Sequence, residues 1–168
     1  MIDYLSRILR RRSPSPSDPS GSLGTREVGD RGEQLAADFL EGSGFRLVTS
    51  NFKISVGRNS RSAVIHAEID IIAYEDGTLC FVEVKTRRSN IFAPPERNVD
   101  LRKQRQIVRA ARAYRRVMGL DQQPFRYDVV SIVLPESLDT RPRVELVRNF
   151  WTEEKFRKRA WRSEPASD

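Results

Sequence analysis

Residues 68–85 read Glu-Ile-Asp-Ile-Ile-Ala-Tyr-Glu-Asp-Gly-Thr-Leu-Cys-Phe-Val-Glu-Val-Lys. Two short acidic motifs, Glu68-Ile69-Asp70 and Glu83-Val84-Lys85, flank Glu75-Asp76-Gly77-Thr78, and Asp-Gly is a preferred centre for a two-residue hairpin loop. With Asp76 and Gly77 at the tip, Glu75 opposes Thr78. The same register, carried down the strands, sets Asp70 opposite Glu83 and Glu68 opposite Lys85. Directly opposed side chains have Cβ atoms about 4.5–5.5 Å apart, and opposed like charges destabilise a sheet. An aspartate facing a glutamate therefore needs a compensating cation or a raised pKa. A divalent metal would supply that charge, with Lys85 as a second positive group.

Strict alternation sets Ile65, Ala67, Ile69, Ile71 and Ala73 on one face of a strand over about 63–74. Glu68, Asp70, Ile72 and Tyr74 take the other. Its partner, about 79–87, alternates in the same way. Both faces are largely apolar, so the hairpin is expected in the middle of a sheet covered on both sides. Carboxylates in such a place are expensive unless paired or metal-bound.

Working outward, a helix is expected over about 31–41, stopped by Gly42-Ser43-Gly44. A strand follows over 45–54, then a polar loop over 55–62. After a loop over 88–100 containing Pro94-Pro95 come a helix at 101–118, strands near 125–134 and 143–149, and a C-terminal helix near 152–162 capped by Thr152. The core order is α-β-β-β-α-β, an α/β class with a central mixed sheet flanked by helices. Residues 1–25 have the composition of a flexible tail and linker, with a short amphipathic segment ending in Arg10-Arg11-Arg12. Residues 26–150 form the folded domain, and 151–168 a C-terminal helix and tail.

The chain has 168 residues, 38% of them hydrophobic and 32% charged, and a formal net charge of +7. The length suits one domain with tails. The charge favours an anionic partner, nucleic acid ahead of membrane. No apolar run approaches the roughly 20 residues of a membrane span, the N-terminus is too polar for a secretory leader, and the cytosol is the expected compartment. The single cysteine, Cys80, excludes an intramolecular disulfide and a cysteine-rich zinc site. A lone histidine, His66, excludes a histidine-rich centre or a Ser-His-Asp triad. Trp151 and Trp161 read as packing residues.

Metal-assisted phosphodiester cleavage needs oxygen ligands around Mg²⁺ or Mn²⁺, a group to orient the attacking water, and positive charge on the phosphate. Asp70 and Glu83 are the candidate ligands, with the Val84 carbonyl as a third oxygen and Lys85 positioned to hold water or phosphate. Glu33 has two readings: a further ligand reaching the sheet, or a capping glutamate returning to Asp30 in Asp30-Arg31-Gly32-Glu33, the cap being what spacing favours. The second helix carries Arg102, Lys103, Arg105, Arg109, Arg112, Arg115 and Arg116 without one acid. Ile107, Ala111, Tyr114 and Met118 form its apolar stripe; Arg105, Arg109, Arg112 and Arg116 form a basic one opposite. Lys103 lies one turn before Ile107 and can approach the acidic cluster. A solvated face would mix in glutamates, so their absence points to phosphate contact.

Over about 28–150 the chain resembles the YraN-like family, also called UPF0102, whose members look like small relatives of PD-(D/E)XK nucleases. The resemblance rests on Gly29-Asp30-Arg31-Gly32-Glu33 with Ala36, on Glu68-Ile69-Asp70-Ile71-Ile72-Ala73, and on Phe81-Val82-Glu83-Val84-Lys85-Thr86-Arg87. Lys103-Gln104-Arg105 and Arg126-Tyr127-Asp128-Val129-Val130 follow in the right order. It implies a three-layer restriction-endonuclease-like fold, also that of archaeal Holliday-junction resolvases. It makes Glu33 an acidic site member beside Asp70, Glu83 and Lys85, and Glu68 an accessory acid. Ala67 stands where the family usually has glycine, and the 55–62 segment is longer than usual.

The expected activity is a Mg²⁺- or Mn²⁺-dependent endonuclease acting on DNA rather than RNA, branched or damaged DNA included, with Lys103 and the helix arginines holding the backbone. The alternative is a non-catalytic nucleic-acid-binding or scaffold protein that keeps the fold. Self-association as a homodimer is compatible with both.

Overall fold

The structure, a computed structural model, describes residues 24–58, 60–88, 99–135 and 141–156. The amphipathic segment at 1–12, the linker to residue 23, Pro94-Pro95 and Trp161 lie outside them. Five strands form one mixed sheet in sequential order: β1 (Arg46–Arg58), β2 (Val64–Glu75), β3 (Thr78–Arg88), β4 (Phe125–Leu134) and β5 (Arg143–Trp151). Helix α1 (Thr25–Gly42) precedes β1, and α2 (Leu101–Met118) connects β3 to β4. β3 and β4 are parallel; every other neighbouring pair is antiparallel. The result is the expected three-layer α/β arrangement.

The turn between β2 and β3 forms as its chemistry dictates. Asp76 (φ 46°) and Gly77 (φ 77°) both take positive φ, as a type I′ hairpin requires. Glu75 pairs with Thr78, and the register runs to Ile71↔Val82. There the ladder ends. β2 goes on pairing with β1 as far as Val64, while β3 goes on pairing with β4 as far as Arg88. The two pairs separate beyond Ile71 and Val82, and a wedge opens in the sheet at Asp70 and Glu83. The expected Asp70–Glu83 and Glu68–Lys85 ladder rungs do not form.

The alternation of β2 also changes at this point. Ala67 and Ile69 join Ile72, Phe81 and Tyr127 in one core cluster. Ile71 and Ala73 join Cys80, Val82 and Val84 in the other. Ile69 and Ile71 therefore face opposite layers, which corrects the strict alternation. The register with β1 passes from Ser50↔Ile71 to Phe52↔Ile69 without Asn51 and Asp70, and Asn51 has φ 53°. The side chains of β2 change faces across Asp70, the position at which the pairing with β1 is interrupted.

Each cluster lies under one helix. α2 contributes Ile107, Val108, Ala110, Ala111 and Tyr114 to the first, and α1 contributes Ala36, Ala37 and Leu40 to the second. α2 has the expected limits for local reasons. Asp100 Oδ1 accepts the Lys103 N–H at 2.7 Å, and Gly119 ends the helix with φ 67°. α1 starts six residues earlier than the expected 31, because its apolar stripe extends back through Val28. Glu27 accepts the Gly24 N–H at 2.8 Å, so Asp30 and Glu33 are interior residues and the capping reading of Glu33 fails. β1 continues through Arg58, where a polar loop was expected from 55. Gly57 (φ 134°) absorbs a register shift there, and Ile54 and Val56 pack on the core.

At the C-terminal end the described part of the expected helix is a single 3-10 turn, Glu153–Phe156. Glu153 opens that turn. It accepts hydrogen bonds from Arg112 (2.7 Å), Arg115 (2.9 Å) and the Tyr127 hydroxyl (2.7 Å), strapping the turn to α2 and β4. Trp151 packs as expected, its ring stacked on Tyr127 at 5.1 Å.

Candidate functional site

The site gathers side chains from five elements. Asp70 from β2 turns its Oδ2 to accept the Val84 N–H at 2.8 Å, a donor facing the gap. Glu83 is almost fully buried and within hydrogen-bonding reach of Asp70. Lys85 Nζ lies 2.6 Å from Glu83 Oε1. Lys103, from the first turn of α2, places Nζ 3.0 Å from Glu83 Oε2 and 3.7 Å from Asp70 Oδ1. Both Glu83 oxygens are thus paired with lysine ammonium groups.

Glu33 comes from α1. Its Oε2 accepts a hydrogen bond from Asn51 Nδ2 at 2.7 Å, and Glu68 and Lys103 both act on its charge. Asn51 is the site residue that the sequence reading missed. An asparagine inside an otherwise strand-forming run tolerates left-handed φ, and that was the available signal. Glu68 pairs instead with Lys53 across β1 and β2 at 3.2 Å, so no Glu68–Lys85 ladder competes for Lys85.

The electrostatics follow from burial. Desolvation, then the Glu83 charge, push the Asp70 carboxyl up to about 7, against the pull of Lys103 and of the Val84 amide. Burial also raises Glu33; the Asn51 hydrogen bond offsets part of this, and Asp30 and Glu68 add to it. Burial alone would lower the Lys103 ammonium, but Asp70 and Glu83 hold it above the ordinary lysine value. An acid pair of hard oxygen donors fits Mg²⁺ or Mn²⁺ in chemistry. Among the described residues no three His, Cys, Asp or Glu side chains converge as a cage.

The basic helix is divided. Arg102, Arg105, Arg109, Arg112 and Arg116 are exposed, but Arg112 is committed to Glu153 and the buried Arg115 lies over the Phe125 ring at 3.6 Å. Lys103 belongs to the acidic site rather than to the outer stripe. Arg112 is tied to Glu153, which returns to α2 from 41 residues away. A further buried acid, Asp128, is structural too: it accepts from Arg126 Nε (2.9 Å) and the Asn149 N–H (2.8 Å). Arg126 and Arg148 both bind Glu75 in the same network. Among the described residues no helix is long and apolar enough to cross a membrane.

A family model described as Uncharacterised protein family UPF0102 matches residues 32–132, a span that includes Glu33, Asp70, Glu83, Lys85 and Lys103. The chain is 39% identical over 125 residues to a UPF0102 protein of Symbiobacterium thermophilum, covering 74% of this chain and 96% of that protein. A UPF0102 protein of Solibacter usitatus is 38% identical over 142 residues, 84% of this chain and 90% of that one. One from Chlorobium limicola is 37% identical over 126 residues, 75% and 86% respectively. The family implied by the motifs around Glu33, Asp70 and Glu83 is thereby shown: the chain belongs to UPF0102.

Proposed function

We propose that the chain is a Mg²⁺- or Mn²⁺-dependent endonuclease acting on DNA. The observation that carries this reading is the wedge: two buried carboxyl groups, Asp70 and Glu83, just past the end of the β2–β3 ladder, with Lys103 against both and Lys85 against Glu83. Sheet charges arranged for stability alone would be spaced apart. Asp70 and Glu83 are the residues to hold a divalent ion, with the Val84 carbonyl as a further oxygen; Glu33 stands outside that set. Such an ion would neutralise the carboxylates and withdraw charge from a phosphoryl oxygen. Lys85, tied to Glu83, directs its ammonium charge to the mouth of the wedge. Glu33, held by Asn51 and raised by burial, is suited to accept a proton from the attacking water. Lys103 supplies the acid pair with positive charge and can release it to a phosphate.

One observation favours the non-catalytic alternative. Lys103 already compensates the acid pair, so a metal is not the sole source of positive charge. Cleavage of duplex, single-stranded, flap and four-way-junction DNA, each with Mn²⁺ or EDTA, decides between the two. Mn²⁺-dependent products that vanish in Glu83→Gln support the endonuclease. Binding without products under every condition supports the scaffold.

Backbone contact is expected on the exposed arginines of α2. Replacing Arg109 and Arg116 with alanine should weaken binding equally across sequences and lower the salt slope by about one per lost phosphate contact. Arg112→Ala should leave that slope unchanged and lower stability by ~0.5–1 kcal/mol, since its partner is Glu153. Equal salt slopes for wild type and the Arg109/Arg116 variant would place binding on another surface.

A further inference from the structure

Two glycines occupy interior positions of α1, and each costs a helix about 0.5–1 kcal/mol relative to alanine. Gly32 has a packing reason: a Cβ there would lie 1.7 Å from Thr86 Oγ1. Gly29 has no such reason, because a Cβ at that position meets nothing within 4 Å. The space it leaves is a cleft of about 230 Å³. Val28, Gly29 and Glu33 form the helix wall; Val84, Lys85 and Thr86 form the strand wall. Glu33 and Lys85 therefore belong both to the cleft and to the acidic site.

The cleft is smaller than the roughly 300–1,000 Å³ of sites for drug-sized ligands, and one flat ring system suits it. Val28 and Val84 offer apolar surface on the two walls, and the bare backbone of Gly29 allows close approach. Glu33, Lys85 and Thr86 supply acceptors and donors for the edge of a ring. A phosphate is a poor occupant, because Glu33 lines the cleft and the Asp30 and Glu68 charges act on it. An uncharged heterocycle that hydrogen-bonds in its plane is a good one.

We infer that this cleft receives an unpaired nucleobase from the strand whose phosphate lies at the acidic site. The inference rests on the nucleic-acid reading above and narrows its substrate to DNA with an unstacked nucleotide beside the reacting phosphate. Drawing a base from the stack costs a few kcal/mol, least where the base is already unpaired. Bulges, mismatches and branch points are therefore selected over continuous duplex without reading any sequence.

The test uses two DNA duplexes carrying 2-aminopurine, either in a one-nucleotide bulge or paired at the same position, with Ca²⁺ in place of Mg²⁺. The full chain should bind the bulged duplex about tenfold tighter than the paired one, with a fluorescence change confined to the bulge. Gly29→Leu fills the cleft from a position that clashes with nothing at Cβ. Its affinity for the bulge should fall to the paired level, and its affinity for paired DNA should stay unchanged. Its Tm should match or exceed wild type, because leucine is the better helix former. Gly29→Ala, too short to fill the cleft, should keep the preference and serves as the folding control. Equal binding of the two duplexes by wild type, or a preference that survives in Gly29→Leu, overturns the inference and leaves the endonuclease reading standing. If wild type binds neither duplex, the nucleic-acid reading itself fails and the inference falls with it.

Discussion

Asp70→Asn is expected to stabilise the metal-free protein and at the same time to abolish Mn²⁺ binding and cleavage. Burial and the Glu83 charge raise Asp70 to about 7, whereas an unfolded aspartate titrates near 3.8. The folded state thus binds the proton more tightly than the unfolded one. The stability tied to that proton is fully present below pH about 4, is lost progressively as pH rises to about 7, and is flat above. Asparagine cannot ionise, so the variant should lack this slope. Its carbonyl oxygen can still accept the Val84 N–H, and its amide can donate to Glu83. At pH 8 in EDTA the variant should therefore gain about 2 kcal/mol, the protonation gain being partly offset by losing the Lys103 contact.

Mn²⁺ reverses the order. Wild type should gain stability by mass action on a folded-state site, and the variant, short of one anionic ligand, should gain little. Cleavage should fall at least ~100-fold, as when a group stabilising transition-state charge is removed. Thermal melts of both proteins, from pH 4 to 8 in EDTA and in Mn²⁺, read all of these at once. A variant destabilised equally in both buffers, beside a wild type indifferent to Mn²⁺, would mean that Lys103 is the resident cation and that the site binds no metal.

Gly32→Ala is expected to be the most damaging methyl group that can be added to the domain. Its Cβ would sit 1.7 Å from Thr86 Oγ1, 2.7 Å from Thr86 Cβ and 2.9 Å from Thr86 Cγ2. Rotation of the threonine relieves the first and last contacts but not the one to Cβ, which moves only with the backbone. α1 must then lift from β3 by roughly an ångström and pull Ala36 and Leu40 from their cluster. Overpacking of this kind costs about 1–3 kcal/mol, and the upper end is expected because both partners are backbone-fixed. The same displacement moves Glu33 away from the wedge. A misplacement of about 1 Å can cost ~10²-fold in rate, so cleavage should drop more than stability explains.

The check is a double-mutant cycle in urea. Thr86→Gly removes the obstructing atoms, and Gly32→Ala in that background should cost less than in wild type by at least ~1 kcal/mol. Gly29→Ala, three residues earlier on the same helix, should instead stabilise by about 0.5–1 kcal/mol. Additive effects in the cycle would show that the helix and strand approach less closely than the Gly32–Thr86 contact requires.

The parts of this fold legible in the sequence are those decided by neighbours along the chain. Asp76-Gly77 set the hairpin turn and hence its register, because both residues accept positive φ. The apolar stripe of Ile107, Ala111 and Tyr114 set the buried face of α2, and the residues between its caps set its length. The motifs around Glu33, Asp70, Glu83 and Lys85 set the family, and with it the layer order. Sequence spacing alone, however, favours a cap at Glu33, since a helix start is a local signal, whereas the helix begins at Thr25 and its apolar stripe reaches back through Val28.

What only the tertiary structure decided is where the hairpin comes apart and which charges meet there. β2 stays with β1 and β3 stays with β4, so the rungs beyond Ile71 and Val82 are lost and Asp70 turns to the Val84 amide. No local propensity encodes that division, because it is set by pairing with a strand 46 residues away in sequence. The same holds for Lys103 reaching Glu83, for Asn51 holding Glu33, and for Glu153 claiming Arg112. Charge attracts charge over several ångströms whatever the separation along the chain, so the residue types could be read in advance and their partners could not.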